Sequence, residues 1–208
     1  EEYASKATEI LKMWFLDEKT KMNPNLQFAQ AIPGVNTGRG IGIIDTRELT
    51  DVVDAVGLLQ GSKSWTRVDQ IGLEKWFADY LKWLMTSKNG LDEAATKNNH
   101  GTYYDAQVVS FALFIGKKDV AKSVLENAKE KRFTKQIESD GRQPLELERT
   151  KSWDYSVMNL DGFVTLAELA EHAEIDLWNY KGSDGRGSIR LAIDFLTPYL
   201  ESRKRWSN

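Results

Sequence analysis

Apolar side chains return at steps of three and four residues in seven stretches of the chain, the spacing that lines one face of an α-helix. The first stretch holds Ala7, Leu11, Trp14 and Phe15, and the second Leu49, Val52, Val53, Val56 and Leu59. The third runs from Ile71 and Leu73 through Trp76, Phe77, Tyr80 and Leu81 to Leu84. Val108, Phe111, Ala112 and Ile115 form the fourth, and Val120, Val124, Leu125 and Ala128 the fifth. The last two comprise Val157, Leu160, Phe163, Leu166 and Leu169, then Ile189, Ile193, Leu196 and Leu200. Seven helices are therefore predicted from these windows.

Polar punctuation falls between them: Asp45-Thr46 before the second helix, Ser64 before the third, Gly116 between the fourth and fifth, and KGSDGRG before the last. Short turns of this kind join helices into hairpins. No segment alternates as a strand does, although the β-branched GIGII at 40–44 suits a brief pairing. The fold class is all-α, with residues 1–208 read as a single domain. Two connections, Asn23 to Asp45 and Arg132 to Tyr155, exceed the roughly 12–15 residues beyond which a loop in a compact domain is usually functional or disordered. Both carry aromatic and apolar residues that anchor a loop, which favours function.

Composition narrows the classes. At 208 residues and 41% hydrophobic the chain can bury one sizeable core. The absence of cysteine excludes disulfides and thiolate metal sites, and no His, Asp and Glu set has metal-ligand spacing, so no metal or other cofactor is expected. No run reaches the roughly 18 apolar residues of a membrane span. With 28 basic and 31 acidic residues, the net charge of −3 argues against a nucleic-acid surface.

Chemistry concentrates in KNNHGTYYDAQ, RQPLELER and SWDY. Asn and Gly are poor helix formers, so their clustering with one of only two histidines has no folding rationale. Together the three segments offer amide donors, an imidazole, a guanidinium and phenols. That set suits β-elimination from a uronic acid polymer, in which the C5 proton beside a carboxylate is removed and the glycosidic O4 departs. Removing that proton places further negative charge on the carboxylate, which amide or guanidinium donors must neutralise. Asn99 and Arg149 fit that need. A free phenol ionises near pH 10, so a tyrosine base needs a cationic neighbour. Arg149 precedes Tyr155 by six residues, roughly 600° of continuous helix, so both reach one ligand only if a bend or helix start lies between them, with Ser152 and Asp154 as candidate caps.

KNNHGTYYDAQ, AQAIPGVNTGRGIGIIDT and DGRQPLELERTKSWDYSVMNLDGF together resemble the alginate lyase type of polysaccharide lyase over nearly the whole chain. The resemblance implies an incomplete α/α toroid around a substrate groove. Members of the type are longer, so the segment is expected to be part of a larger toroid, truncated at one or both ends. Carried over residue by residue, Asn99 and His100 match the family's carboxylate-neutralising amide and catalytic histidine, Arg149 its active-site arginine and Tyr155 its catalytic tyrosine. The implied reaction is metal-independent cleavage of β-1,4-linked alginate, mannuronan or glucuronan. The implied partner is an anionic polysaccharide or oligosaccharide, and the implied compartment is the periplasm or the exterior.

Sugar contacts are expected from Asn98, Arg39 in its glycine-rich run, Tyr103, Tyr104, Gln143 and Trp153. Other readings stay open at this point. Arg149 beside Glu146 and Glu148 also fits a surface ion pair, Tyr155 a core aromatic, and His172 a solvated helix face. A glycoside hydrolase would pair Asp105 with Glu146 or Asp154, and a non-catalytic glycan-binding protein would yield no product.

Overall fold

The computed structural model describes residues 1–200 and 205–206. Helices dominate, and the only β-type pairing among the described residues is an isolated bridge between Ile32 and Asn36. The segment GIGII does not pair as a strand; it winds into a 3₁₀ turn, Gly40–Thr46, that buries Ile43 and Ile44. Ten α-helical segments appear among the described residues where the periodicity predicts seven. The extra three are short, and two of them lie in the connection from Arg132 to Tyr155. Contacts divide the chain into two compact units, Glu1–Asp92 with Ser110–Lys117, and Glu93–Val109 with Lys118–Asn208.

The first unit is built on α1 (Glu2–Phe15), α2 (Leu49–Leu58), α3 (Arg67–Thr86) and most of α4 (Lys88–Ala94). An aromatic cluster forms its core. Phe15 meets Trp76 edge-on at 4.8 Å, and Phe77 packs on Phe111 at 4.8 Å and Phe114 at 5.3 Å. The Trp76 indole donates to the Met22 carbonyl at 2.8 Å, fixing the chain after α1. The N-cap of α3 is Thr66, two residues after Ser64: Thr66 and Asp69 form a reciprocal capping box, the arrangement that satisfies two otherwise orphaned N–H groups.

The second unit contains the start of α5 (Asn99–Phe114), α6 (Lys118–Ala128), α7 (Thr134–Gln136), α8 (Pro144–Leu147), α9 (Ser152–Glu171) and α10 (Ile189–Leu200). α5 passes into the first unit at Ser110 and stops at Gly116, whose φ of +75° suits glycine and lets Lys117 N–H reach the Ala112 carbonyl at 2.8 Å. α6 runs through a π-helical turn, Lys129–Phe133, into α7. α8 and α10 pack on α9. Phe133 meets Phe163 at 4.6 Å in a core with Leu125, Leu166, Ala170 and Leu177. Glycine at 162 lets α9 approach α5 closely, since a Cβ there would stand 3.0 Å from the Thr102 methyl.

Candidate active site

The start of α5 depends on groups far away in sequence. A helix N-terminus leaves backbone N–H groups without intrahelical partners and favours negative charge. Here Glu146 of α8 supplies both remedies, accepting the Asn99 backbone N–H and the Asn99 side-chain amide at 2.7 Å each. Glu146 is 1% exposed and Asn99 fully buried. One residue on, His100 Nδ1 lies 2.8 Å from Oε1 of Glu93, a fully buried carboxylate. With Nδ1–H donated to Glu93, the imidazole keeps Nε2 for a ligand, the orientation a carboxylate usually imposes on a working histidine.

Gly101 explains the glycine of the motif. A Cβ there would fall 2.2 Å from Arg132 Nη1 and 2.4 Å from the Thr96 carbonyl. Arg132, in the π-helical turn and 1% exposed, donates from Nε to Asp105 at 2.7 Å and from Nη2 to the Ala94 carbonyl at 2.8 Å, and also reaches the Thr96 carbonyl. This single guanidinium joins the end of α4 to the second turn of α5. It thereby fixes the link that carries Asn98, Asn99 and His100.

Arg149 and Tyr155 meet because a helix start falls between them. α9 begins at Ser152, between them, and the Arg149 guanidinium carbon sits 3.8 Å from the Tyr155 ring centroid in a cation–π contact. Its N-cap is Lys151, with Ser152 as the first helical residue. Arg149 and His100 both act to lower the Glu146 carboxyl, after the two bonds from Asn99. Glu146 thus links the start of α5 to α8 through Asn99, within electrostatic reach of His100 and Arg149. His100, Arg149 and Tyr155 are all partly exposed, so a ligand can reach them. Among the described residues no three His, Asp or Glu side chains group to hold a metal ion, and no helix is long and apolar enough to cross a membrane.

Several expected sugar contacts are packed inside the protein instead. The Tyr103 hydroxyl lies 2.8 Å from both the Met158 carbonyl and the Asp161 carboxylate. Tyr104 is buried, and that burial, reinforced by Asp105, pushes its phenol up to about 12. Gln143 donates to the Ser156 carbonyl at 2.9 Å and accepts from Asn159 at 2.7 Å, within an amide network that also takes in Gln136 and Thr102. The reason is common to all three: α5 is buried on every side from Gly101 to Ala112, and α8 is pressed onto α9. Trp153 remains half-exposed but packs edge-on against Trp206 at 5.0 Å. Asn98 directly precedes α5, its carbonyl accepting from Gly101 N–H at 2.9 Å. Arg39 belongs to the first unit, where it is exposed and donates to Gln30 at 3.1 Å. His172 caps the exposed end of α9.

Burial raises the Glu146 carboxyl above its ordinary value of 4.5, against the lowering effect of the Asn99 bonds, Arg149 and His100. For an acid with a raised folded value, the stabilising contribution is complete below pH 4.5 and is lost as pH rises through that folded value. Glu146→Gln removes this slope. Turning the Asn99 amide over would offer its Oδ1, which has no protein partner among the described residues, to the new amide. Thermal unfolding at a series of pH values should show the variant gaining on the parent as the pH rises above 4.5, and parallel curves would disprove the linkage.

Comparison with curated proteins gives no match. Among solved structures, the crystal structure of an alginate lyase from Bacteroides ovatus superposes with a TM-score of 0.94 at 41% identity. It covers 99% of this chain, which spans 55% of that one. The alginate lyase family model matches residues 1–206, so the chain belongs to the alginate lyase family.

Proposed function

We propose that the chain carries catalytic residues of a polysaccharide lyase acting on β-1,4-linked polyuronates by β-elimination. The observation that carries this reading is the Arg149–Tyr155 stack in the same unit as the Glu93–His100 pair, with the Asn99–Glu146 pair beside them. A base removes the C5 proton, the electron pair forms the C4–C5 double bond, and the C4–O4 bond breaks as O4 takes a proton. Arg149 has no carboxylate partner among the described residues, which leaves its N–H groups for the substrate's C6 carboxylate. Tyr155 serves as both base and acid where H5 and O4 lie on one face of the ring. Where they lie on opposite faces, His100 takes the proton and Tyr155 returns one.

Asn99, expected to neutralise the substrate carboxylate, is buried with one amide hydrogen engaged by Glu146. In this mechanism it acts by fixing Glu146, and neutralisation falls to Arg149. The hydrolase reading loses its carboxylate pair, because Asp105 is held by Arg132 and Glu146 by Asn99. The substrate is an anionic polysaccharide met in the periplasm or outside the cell.

A near-ultraviolet absorbance assay over alginate, polymannuronate, polyguluronate and glucuronan tests the proposal. A lyase leaves a conjugated double bond at each new non-reducing end and the absorbance rises. Chain shortening without that absorbance would mark a hydrolase, and no product on any polymer would defeat catalysis by this chain.

A further inference from the structure

Beside the catalytic cluster, the second unit holds a cavity of about 530 Å³ whose walls include Lys97, Lys131, Arg132 and Lys135, with Ala95 and Leu145. No acidic residue lines it among the described residues. Arg132 is fully engaged with Asp105 and two carbonyls. The three lysines are exposed, and none has an ion-pair partner among the described residues. Like charges placed side by side repel, so folding gives no reason to gather them around one concavity. Burial, followed by the adjacent Arg132, already pulls the Lys131 ammonium below its usual range. An anion in the cavity would relieve both effects.

The location identifies the anion. Lys97 is three residues from His100, at most about 11 Å away along the Cα trace, and Leu145 directly precedes Glu146. A ligand that reaches both the cavity and the catalytic cluster is a chain carrying a negative charge on successive units. Leu145, 38% exposed, and Ala95 give one wall an apolar surface for the C–H face of a sugar ring. We propose that this cavity is a subsite for the carboxylate of a second uronate ring on the same polymer, with Lys131 and Lys135 supplying the charge. The proposal rests on the polyuronate reading above.

The test is a calorimetric titration in a Tyr155→Phe background, so that ligand is not consumed, comparing that chain with one also carrying Lys131→Gln and Lys135→Gln. The probes are a hexauronate, its carboxyl-reduced counterpart and inorganic phosphate. Loss of two charge contacts should weaken hexauronate binding by about tenfold, while the carboxyl-reduced sugar binds both chains alike and phosphate displaces the hexauronate only at far higher concentration. Equal hexauronate affinity in both chains would overturn the subsite. Displacement by phosphate at concentrations below those of the hexauronate would reassign the cavity to a free anion and overturn it equally. Product formation by the parent is read separately, so a parent that binds the hexauronate but makes no unsaturated product counts against the lyase reading and not against the subsite.

Discussion

Tyr155→Phe should abolish most turnover while leaving the fold unchanged. The substitution removes one oxygen and keeps the ring on which the Arg149 guanidinium rests at 3.8 Å, so the contact that positions both groups survives. The stability change should not exceed the roughly 1 kcal/mol typical of one hydrogen bond. Proton transfer by a positioned side chain is worth about 10²–10⁴-fold, and a residue acting as both base and acid belongs at the upper end. The initial rate of near-ultraviolet absorbance, measured beside a thermal melt, decides the matter. A variant with normal melting that still works within about tenfold of the parent would remove Tyr155 from the mechanism. His100→Ala should do most harm on the epimer whose H5 and O4 lie on opposite faces, because only there does His100 take the proton.

The largest stability effect should come from a residue that touches no substrate. Arg132→Met leaves Asp105, 4% exposed, as an unpaired buried charge and takes a donor from each of two backbone carbonyls. Removing one partner of a buried pair costs about 3–5 kcal/mol, whereas replacing both with apolar residues of similar size is often tolerated. Urea unfolding should therefore show Arg132→Met strongly destabilised and Arg132→Met with Asp105→Leu substantially recovered. A single variant as stable as the parent would show that the guanidinium is dispensable.

The sequence carried unequal amounts of this information. α3 was readable because one face is apolar and the other polar over 20 residues, and a helix start between Arg149 and Tyr155 was readable because six residues of continuous helix set two side chains on different faces. Glu93 and Glu146 were not recognisable as partners of His100 and Asn99. In sequence a carboxylate that anchors a buried site resembles one on a solvated helix face, and Glu146 reaches Asn99 across 47 positions. The burial of Tyr103 and Tyr104 was hidden for a related reason. A helix buried on all sides has no polar face, so its pattern cannot show which aromatics point to a ligand.

The π-helical turn at Lys129–Phe133 gives the helix from Lys118 to Gln136 a phase. A π turn holds more residues than an α turn, and each residue gained or lost in a helix rotates every later side chain by about 100°. Arg132, Phe133 and Gln136 are all buried at that setting. Glu130 and Lys131 are exposed, so by exposure alone either could be deleted harmlessly. Phase gives the opposite answer. Like a letter dropped from a reading frame, loss of either one would turn Arg132 away from Asp105 or Gln136 out of the amide network. The length of this helix is held constant by the partners its side chains must meet, and lineages of this chain should vary in the residues of its outer face long before they vary in their number.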